Sequence, residues 1–377
     1  MTELVTIITS LIEPTIKIVA LVFMVILPMV AYSVYAERRF SAILQDRVGP
    51  NRVGVPFTKI SLAGLGQPIA DGLKFILKED LTPGHVRKVY YWLAPALTMV
   101  PALLTCAVLP FGGHLKLPFV DEPFQMVIAD LDVGILFVFA IASLGVYGIV
   151  IAGWASNSKY PFFGGVRSSS QMISYEISLG LSVIPILMIY GDLNLGSIVQ
   201  QQHDKGWALL PITLEGFKPV FNLRDIALLV PLLISFVIFV TSLFAETNRL
   251  PFDLPECETE LVAGYHTEYS SMKFALFFLG EYAAMIIGSG FAVTLFLGGW
   301  SLPFGLGGNG EESLFWGLVA IGTFFAKVVG FILFFIWIRW SIPRFRYDQL
   351  MRLGWVFFFE IALFNILLTA GILMIFR

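Results

Sequence analysis

Long apolar stretches separated by short polar segments dominate the sequence. A helix that crosses a bilayer core of about 30 Å needs about 20 apolar residues, because each helical residue rises about 1.5 Å. The stretches that meet this length predict eight membrane-spanning helices, near residues 13–35, 90–111, 132–154, 171–190, 225–245, 274–297, 314–338 and 354–376. No internal repeat or linker divides the chain. We therefore expect an all-α polytopic membrane protein that forms a single membrane domain over residues 1–377.

A shorter apolar pattern lies between the first two predicted spans. Its apolar residues recur at intervals of three and four, which is the spacing of one face of a helix. They are Leu62, Leu65, Ile69, Leu73 and Ile76, whereas Asp71, Lys74 and Lys78 fall off this stripe. The pattern predicts an amphipathic helix after the turn-rich segment 48–54. Such a helix either lies along the membrane face or packs only on a partner subunit, and both interpretations stay open.

The composition agrees with a membrane location. The chain has 57% hydrophobic and 14% charged residues, and its mean hydropathy is +0.82. Soluble domains have about 45–50% apolar residues and about 25% charged residues. A net charge of −3 gives no reason to expect nucleic acid. Cys106 and Cys257 lie far apart, and no Cys/His cluster accompanies them. We therefore expect no metal, iron–sulfur cluster or other cofactor on this chain.

The basic residues predict the orientation in the membrane. The loops after the first, third, fifth and seventh spans carry seventeen Lys and Arg residues, and the opposite side carries six. The positive-inside rule places the richer loops in the cytoplasm and both termini outside. Glu3 and Glu13 stand where a signal peptide would be basic, so we interpret the first apolar stretch as a span rather than as a cleaved signal.

An acidic block stands out between the fifth and sixth spans. Six carboxylates lie between Glu246 and Glu268. Asp253 is a candidate N-cap, and Glu256, Glu258 and Glu260 would follow in the first turns of a helix, where its dipole stabilises negative charge. Helical spacing would put Glu256 and Glu260 on one face, with Glu258 turned away from both. Capping explains part of this block but leaves Glu246 and Glu268 unexplained.

Two further acids fall inside predicted spans, Glu176 in the fourth and Glu281 in the sixth. Ionisable groups at membrane depth are costly and mark functional sites. A structural hydrogen bond remains the alternative for either residue. Close carboxylates disfavour each other's ionisation, so the acidic group as a whole is suited to accept and release protons as a coupled set.

Seven motifs occur in a fixed order along nearly the whole chain. They are 37–39 (ERR), 45–54 (QDRVGPNRVG), 70–74 (ADGLK), 153–160 (GWASNSKY), 171–176 (QMISYE), 246–269 and 343–351 (PRFRYDQLM). This ordered set resembles the family of the H subunit, a membrane subunit of bacterial respiratory complex I, which is called NADH dehydrogenase subunit 1 in mitochondria.

The resemblance implies a subunit of a proton-pumping NADH:quinone oxidoreductase in the bacterial cytoplasmic membrane. Such a subunit joins the electron-transfer arm to the antiporter-like membrane subunits, and it lines the access tunnel for quinone, either ubiquinone or menaquinone. The quinone headgroup is bound mainly by a neighbouring soluble subunit. FMN and the iron–sulfur clusters belong to partner subunits, so the resemblance implies no catalytic residue on this chain alone.

The resemblance also assigns roles to particular residues. Glu37, Arg38 and Asp71 match positions at the quinone tunnel, whereas Arg39 fits simple anchoring. The acids of the proton or charge path are Glu176, Glu246, Glu256, Glu258, Glu260 and Glu281. Lys327 lies inside the seventh span, where we favour a structural ion pair.

One departure from the family lies in the last span. Val356 follows Trp355 where the family usually has lysine, no proline follows, and Glu360 lies within the span. Two other functions stay open: an anchor subunit of a related energy-converting hydrogenase or formate hydrogenlyase, and an independent cation or proton transporter. The intact tunnel motifs favour the quinone enzyme over the first. The lack of two similar halves disfavours the second.

Overall fold

Eight of the helices in the described part of the chain are long and apolar enough to cross a membrane. The computed structural model describes residues 14–54, 61, 63–116, 124–215, 218–220, 223–255, 258–306 and 313–376. The spans are α1 (Pro14–Leu44), α3 (Lys88–Thr105), α4 (Gly134–Ala155), α5 (Lys159–Tyr190), α7 (Leu223–Glu246), α9 (Ser271–Phe296), α10 (Leu314–Ser341) and α11 (Tyr347–Ile375). The prediction of an all-α polytopic membrane protein is confirmed.

The remaining elements are short. The predicted amphipathic helix is α2 (Gln67–Leu77), and α6 (Leu195–Lys205) and α8 (Glu258–Leu261) lie between spans. Two antiparallel hairpins pair β1 (His114–Leu115) with β2 (Phe124–Gln125) and β3 (Thr213–Glu215) with β4 (Lys218–Val220). The predicted start of α2 at Leu62 lies outside the described residues.

The helices pack around α9. Of its most apolar stretch 67% is buried, against 17% for α11, so α9 is central and α11 peripheral. Close approaches need glycine. A Cβ on Gly148 of α4 would lie 2.7 Å from the backbone nitrogen of Thr98 on α3, and one on Gly164 of α5 would lie 2.6 Å from that of Tyr265. These glycines allow backbones to meet without side chains between them.

Several predicted boundaries were wrong, and the first span continues to Leu44 instead of ending near 35. The fourth span begins at Lys159 rather than near 171, because the polar residues of its first turns still form helix against neighbouring segments. Glu176 therefore lies in the middle of a 32-residue helix and not one turn from its start. The seventh span runs to Ser341, which brings Arg339 into its last turn instead of into a loop.

Candidate functional site

The site is centred on a buried carboxylate, Glu37 of α1. One of its oxygens, Oε2, accepts hydrogen bonds from the Tyr282 hydroxyl at 2.6 Å and from Arg249 Nη1 at 3.1 Å. The other oxygen pairs with Arg339 of α10. Three different segments thus meet at one acid. A buried charge needs such partners, because burial without them is costly.

Arg249 is the buried cation between two acids. Its Nε lies 2.6 Å from Glu281 Oε1, and its guanidinium carbon lies 4.0 Å from the centre of the Tyr282 ring. Burial by itself would lower the pKa of Arg249. The charge of Glu281, with Tyr282 and Glu37, outweighs this effect and raises the pKa well above its usual value. Arg249 is therefore a permanent positive charge that links Glu37 to Glu281.

The end of α7 explains how Arg249 reaches this position. Asn248 adopts a left-handed conformation with φ of 51°. Its N–H donates to the Ala245 carbonyl, and the N–H of Arg249 donates to that of Phe244. These two bonds form a Schellman motif, in which asparagine takes the place that glycine usually occupies. The chain turns sharply after Thr247, and Arg249 projects towards α1 and α9.

Gln171 of α5 holds the same loop from the other side. Its side chain is fully buried, and its Nε2 donates to the carbonyls of Ala245 at 2.8 Å and Phe252 at 2.7 Å. Those carbonyls lie on either side of Arg249, so one amide group fixes both ends of the turn. Satisfying buried carbonyls in this way avoids a penalty of about 1–3 kcal/mol for each group.

A cavity of about 120 Å³ lies between α3, α4, α5, α7 and α9. This is room for several water molecules, since one needs roughly 10–15 Å³ on the same measure. Glu246 and Glu281 both line the cavity within otherwise mostly apolar walls. The other polar lining residues are Thr98, Thr105, Thr247, Asn248 and Tyr265. Glu281 thus contacts Arg249 and also borders a space that water can fill.

Glu176 extends the acidic line into α5. Its neighbours one turn before and after, Met172 and Leu179, line the cavity and place Glu176 on the same side of its helix. Glu176 is half-buried on the side of α5 that faces the cavity lined by Glu246. The structure therefore brings Glu37, Glu281, Glu246 and Glu176 into one sequence of neighbours, with Arg249 between the first two.

Of the other acids in the block, Asp253 and Glu260 do not join this line, and the side chains of Glu256 and Glu258 lie outside the described part of the structure. The helix predicted from Asp253 was wrong, because α8 has four residues and begins at Glu258. The Asp253 carboxylate instead accepts a hydrogen bond from Arg344 at 3.0 Å and does not serve as a helix N-cap. Glu260 is half exposed and lies 2.5 Å from Arg167. Glu256 lies outside the described residues.

The predicted tunnel residues separate into two groups. Arg38 Nη1 donates to Asp71 Oδ2 at 2.8 Å, and Gln67 Nε2 donates to Asp71 Oδ1 at 2.9 Å. This partly exposed pair joins α1 to α2. Glu37, one residue earlier, points to the buried cluster, because successive helical residues differ by about 100° in direction.

The far end of α2 is joined to α9. Ser271, the first residue of α9, donates from Oγ to the carbonyls of Phe75 at 2.9 Å and Lys78 at 3.0 Å. Lys273 adds a bond to Thr82 at 2.7 Å and an ion pair with Asp80 at 3.1 Å. Together with the Arg38–Asp71 pair, these contacts bring α1, α2 and α9 together.

Sequence reasoning missed three partners of Glu37 and misjudged one further residue. Arg249, Tyr282 and Arg339 bind Glu37, and none of them was singled out as a site residue. The position of Tyr282 next to Glu281 was the available signal. Lys327 was expected in an ion pair. Its Nζ instead donates to the carbonyls of Leu297, Gly299 and Ser301 at 2.7, 2.9 and 2.7 Å, so backbone dipoles rather than a carboxylate hold it in the described part of the chain.

Comparisons with known proteins agree over almost the full length. A profile of the NADH dehydrogenase family matches residues 16–370. The chain is 44% identical to the first NADH-quinone oxidoreductase H subunit of Cytophaga hutchinsonii, over 97% of this chain and 98% of that protein. It is 49% identical to the H subunit of Leptospira biflexa, over 90% of this chain and 89% of that protein. It is 48% identical to the H subunit of Rickettsia prowazekii, over 95% of this chain and 92% of that protein. With these matches and eight apolar helices, the chain is a multi-pass membrane protein that belongs to the NADH dehydrogenase family.

Proposed function

We propose that this chain is a membrane subunit of a proton-pumping NADH:quinone oxidoreductase in the bacterial cytoplasmic membrane. Its relatives are named as H subunits of NADH-quinone oxidoreductases, which supports this role over a hydrogenase anchor. The chain would work as one membrane domain beside quinone-site soluble subunits and antiporter-like membrane subunits. FMN and the iron–sulfur clusters would reside on partners, and quinone would be the substrate.

Assembly is tested by purification through a tag on this chain. We expect NADH-oxidising activity and iron–sulfur subunits to purify with it from native membranes. Recovery of a nickel hydrogenase subunit without an NADH-oxidising module would replace this proposal with the hydrogenase alternative. Ion flux by the purified chain alone in vesicles would support an independent transporter instead.

We further propose that quinone reaches its site along a tunnel bordered by α1, α2 and α9. The Arg38–Asp71 pair and the bonds of Ser271 to the end of α2 support this location, because they bring these three helices together. The apolar side chains of α2 support it as well. Ile69, Leu73 and Ile76 are exposed, as a wall that contacts lipid or an isoprenoid tail requires.

The coupling path would begin at Glu37, which lies next to the tunnel residue Arg38. The single observation that carries this proposal is the unbroken line Glu37–Arg249–Glu281–cavity–Glu246. When quinone is reduced, a charge that appears near Glu37 would weaken the hydrogen bond that Arg249 donates to Glu37. Arg249 would then bind Glu281 more strongly and disfavour its protonation.

Proton movement would follow from that change. Glu281 and Glu246 border the same cavity, and water within it would carry a proton between them by hydrogen bonds. Glu176 would respond to the altered protonation of Glu246 and transmit this electrostatic effect towards the partner membrane subunits. Glu256, Glu258 and Glu260 would act at the cytoplasmic surface, where acids gather protons. The exposed position of Glu260 supports a surface role.

The path is tested by Glu246→Gln and Glu176→Gln in the assembled complex, with Glu79→Gln as the matched control. Glutamine keeps the shape of glutamate but carries no titratable proton. We expect quinone-dependent proton pumping in vesicles to fall about tenfold or more in each path variant, as loss of a proton-transfer group does in enzymes. Glu79→Gln should stay within about twofold, because Glu79 is exposed and lies outside the proposed path. Normal pumping and normal quinone reduction in both path variants would contradict the proposal.

A further inference from the structure

The last span has two different faces. Ala362, Asn365 and Thr369 are buried, and Asn365 Nδ2 donates to the Pro231 carbonyl and to Ser235 Oγ of α7, each at 2.9 Å. These bonds fix the rotation of α11 about its axis. Residues at helical spacing on the other side therefore point away from the rest of the chain.

The outward face carries an acid among apolar side chains. Glu360 is exposed, and it is followed on the same face by Phe364, Leu367 and Met374, which are 64%, 70% and 78% exposed. Glu360 is the residue that departs from the family pattern in this span. A lipid-facing helix would need only apolar residues here, so the carboxylate requires a separate explanation.

Glu360 lies well inside the apolar stretch of its helix, far from both of its polar ends. Glu360 comes eight positions after Arg352, the last basic residue before the apolar stretch. At a helical rise of about 1.5 Å per residue, the two residues are about 12 Å apart along the helix. The distance to Ile375 at the other end is greater still. A glutamate side chain is much shorter than either distance, and a carboxylate within the hydrocarbon core is costly without a partner.

The described part of the chain offers no such partner. Among the described residues, no hydrogen bond or ion pair reaches Glu360. Arg352, the nearest cation along the helix, lies instead over the ring of Phe357, at 5.8 Å from its centre. The rotation fixed by Asn365 keeps Glu360 away from α7. The described part of the chain therefore leaves this carboxylate without a counter-charge.

We propose that this face, defined by Glu360, Phe364, Leu367 and Met374, is the docking surface for a transmembrane helix of another subunit. That helix carries a lysine or arginine at the depth of Glu360. A second copy of this chain fits poorly, because a two-fold interface would set Glu360 against Glu360. A lipid headgroup fits poorly as well, because its charge stays near the membrane surface. The inference rests on the proposed assembly into a complex but on no part of the proton path.

Substitution at Glu360 distinguishes a protein partner from lipid by the sign of the effect. Against lipid, Glu360→Leu removes a costly group and leaves assembly unchanged or improved. Against a basic helix, it leaves the partner's cation unpaired in the membrane. We expect Glu360→Leu to lower the fraction of the chain recovered in the complex about tenfold, and Glu360→Gln to lower it less. Val237→Leu, at an exposed apolar position of α7 outside this face, should stay within about twofold.

The fraction is measured on native gels and is divided by the total amount of the chain in the membrane. Recovery of Glu360→Leu equal to or above that of the unaltered chain would overturn the proposal. A negative result in the proton-pumping test would not overturn the docking surface, because assembly is measured without quinone or pumping. This keeps the docking surface and the proposed function separately testable.

A second experiment leaves Glu360 intact and does not depend on the stability of a variant. A photoreactive phenylalanine analogue replaces Leu367 in the otherwise unaltered chain of the assembled complex. We expect a cross-link to a membrane subunit, within a transmembrane segment that contains lysine or arginine. Cross-links only to lipid, to a second copy of this chain, or to a helix without a basic residue would overturn the proposal.

Discussion

At the scale of single residues, Arg249 holds the buried cluster together. It binds one carboxylate through Nη1 and another through Nε, while its flat face covers Tyr282. Lysine could not make these contacts together, because its single ammonium lacks the planar fork of a guanidinium. The arrangement also explains why two acids can be buried so close to one another.

Removal of this cation tests its place in the cluster. We expect Arg249→Met to lower the free energy of unfolding by about 3–5 kcal/mol, because it leaves buried carboxylates without their shared partner. Tyr282→Phe keeps the ring and loses one hydrogen bond to Glu37, so its cost should be smaller, about 1–3 kcal/mol. The thermal midpoint of each purified complex, followed by tryptophan fluorescence, measures the difference. Equal midpoints for the two variants would contradict this account.

His203 of α6 provides a pH test outside the spans. Burial lowers its pKa below the ordinary value of 6.5, and the charge of Asp204 opposes this only in part. Between the lowered pKa and 6.5 the unfolded chain binds more protons than the folded one, so stability falls as the pH falls through that window.

We therefore expect acidification from about pH 7 to about pH 5 to destabilise the unaltered chain more than His203→Gln. Thermal midpoints measured across this range provide the comparison. An identical pH profile for His203→Gln and the unaltered chain would show that His203 titrates normally.

At the scale of elements, short segments between spans position the functional groups. The Schellman turn after α7 directs Arg249, and Gln171 fastens that turn to α5. At the opposite edge, α2 is held at one end by Asp71 and at the other by Ser271. The spans form a rigid frame, and these connecting segments determine where the functional side chains lie.

The link between α1 and α2 yields a prediction for quinone access. Both partners of the Arg38–Asp71 pair are partly exposed, so Asp71→Asn should change stability by less than about 1 kcal/mol. We expect it nevertheless to raise KM for a long-tailed quinone about tenfold, because α2 would no longer be held in position. Lys74→Gln, an exposed change on the same helix, is the control.

Steady-state kinetics with long- and short-tailed quinones measure this effect. The exchange Arg38→Asp with Asp71→Arg should restore much of the lost affinity if the pair acts as a link. An equal rise in KM for both quinones would indicate a general loss of structure rather than a tunnel effect.

At the scale of the whole molecule, the even number of candidate spans in the described part of the chain predicts that both termini lie on the same side of the membrane. The distribution of basic residues predicts that this is the outer side. The acidic block and α2 then face the cytoplasm, where soluble partner subunits would dock. Orientation thus decides which surface each partner can reach.

Reporter fusions test the orientation. Alkaline phosphatase fused after residue 376 should be active, because it folds only outside the cytoplasm, and green fluorescent protein at the same site should stay dark. Fusions between α4 and α5 should give the opposite result. Fluorescence at the C-terminus would reverse the predicted topology and place the acidic block outside.

The sequence by itself determined the number and nature of the spans, the amphipathic α2 and the family. The spans and α2 follow from local periodicity and composition, and the family from the resemblance carried by the ordered motifs, all of which can be read along the chain. Only the tertiary structure decided which charges meet. Glu37 binds an arginine 212 residues away and a tyrosine 245 residues away, whereas the adjacent Arg38 turns to α2. Glu260 was equally acidic in sequence but lies at the surface. Such pairings follow from helix rotation and packing, which no local pattern encodes.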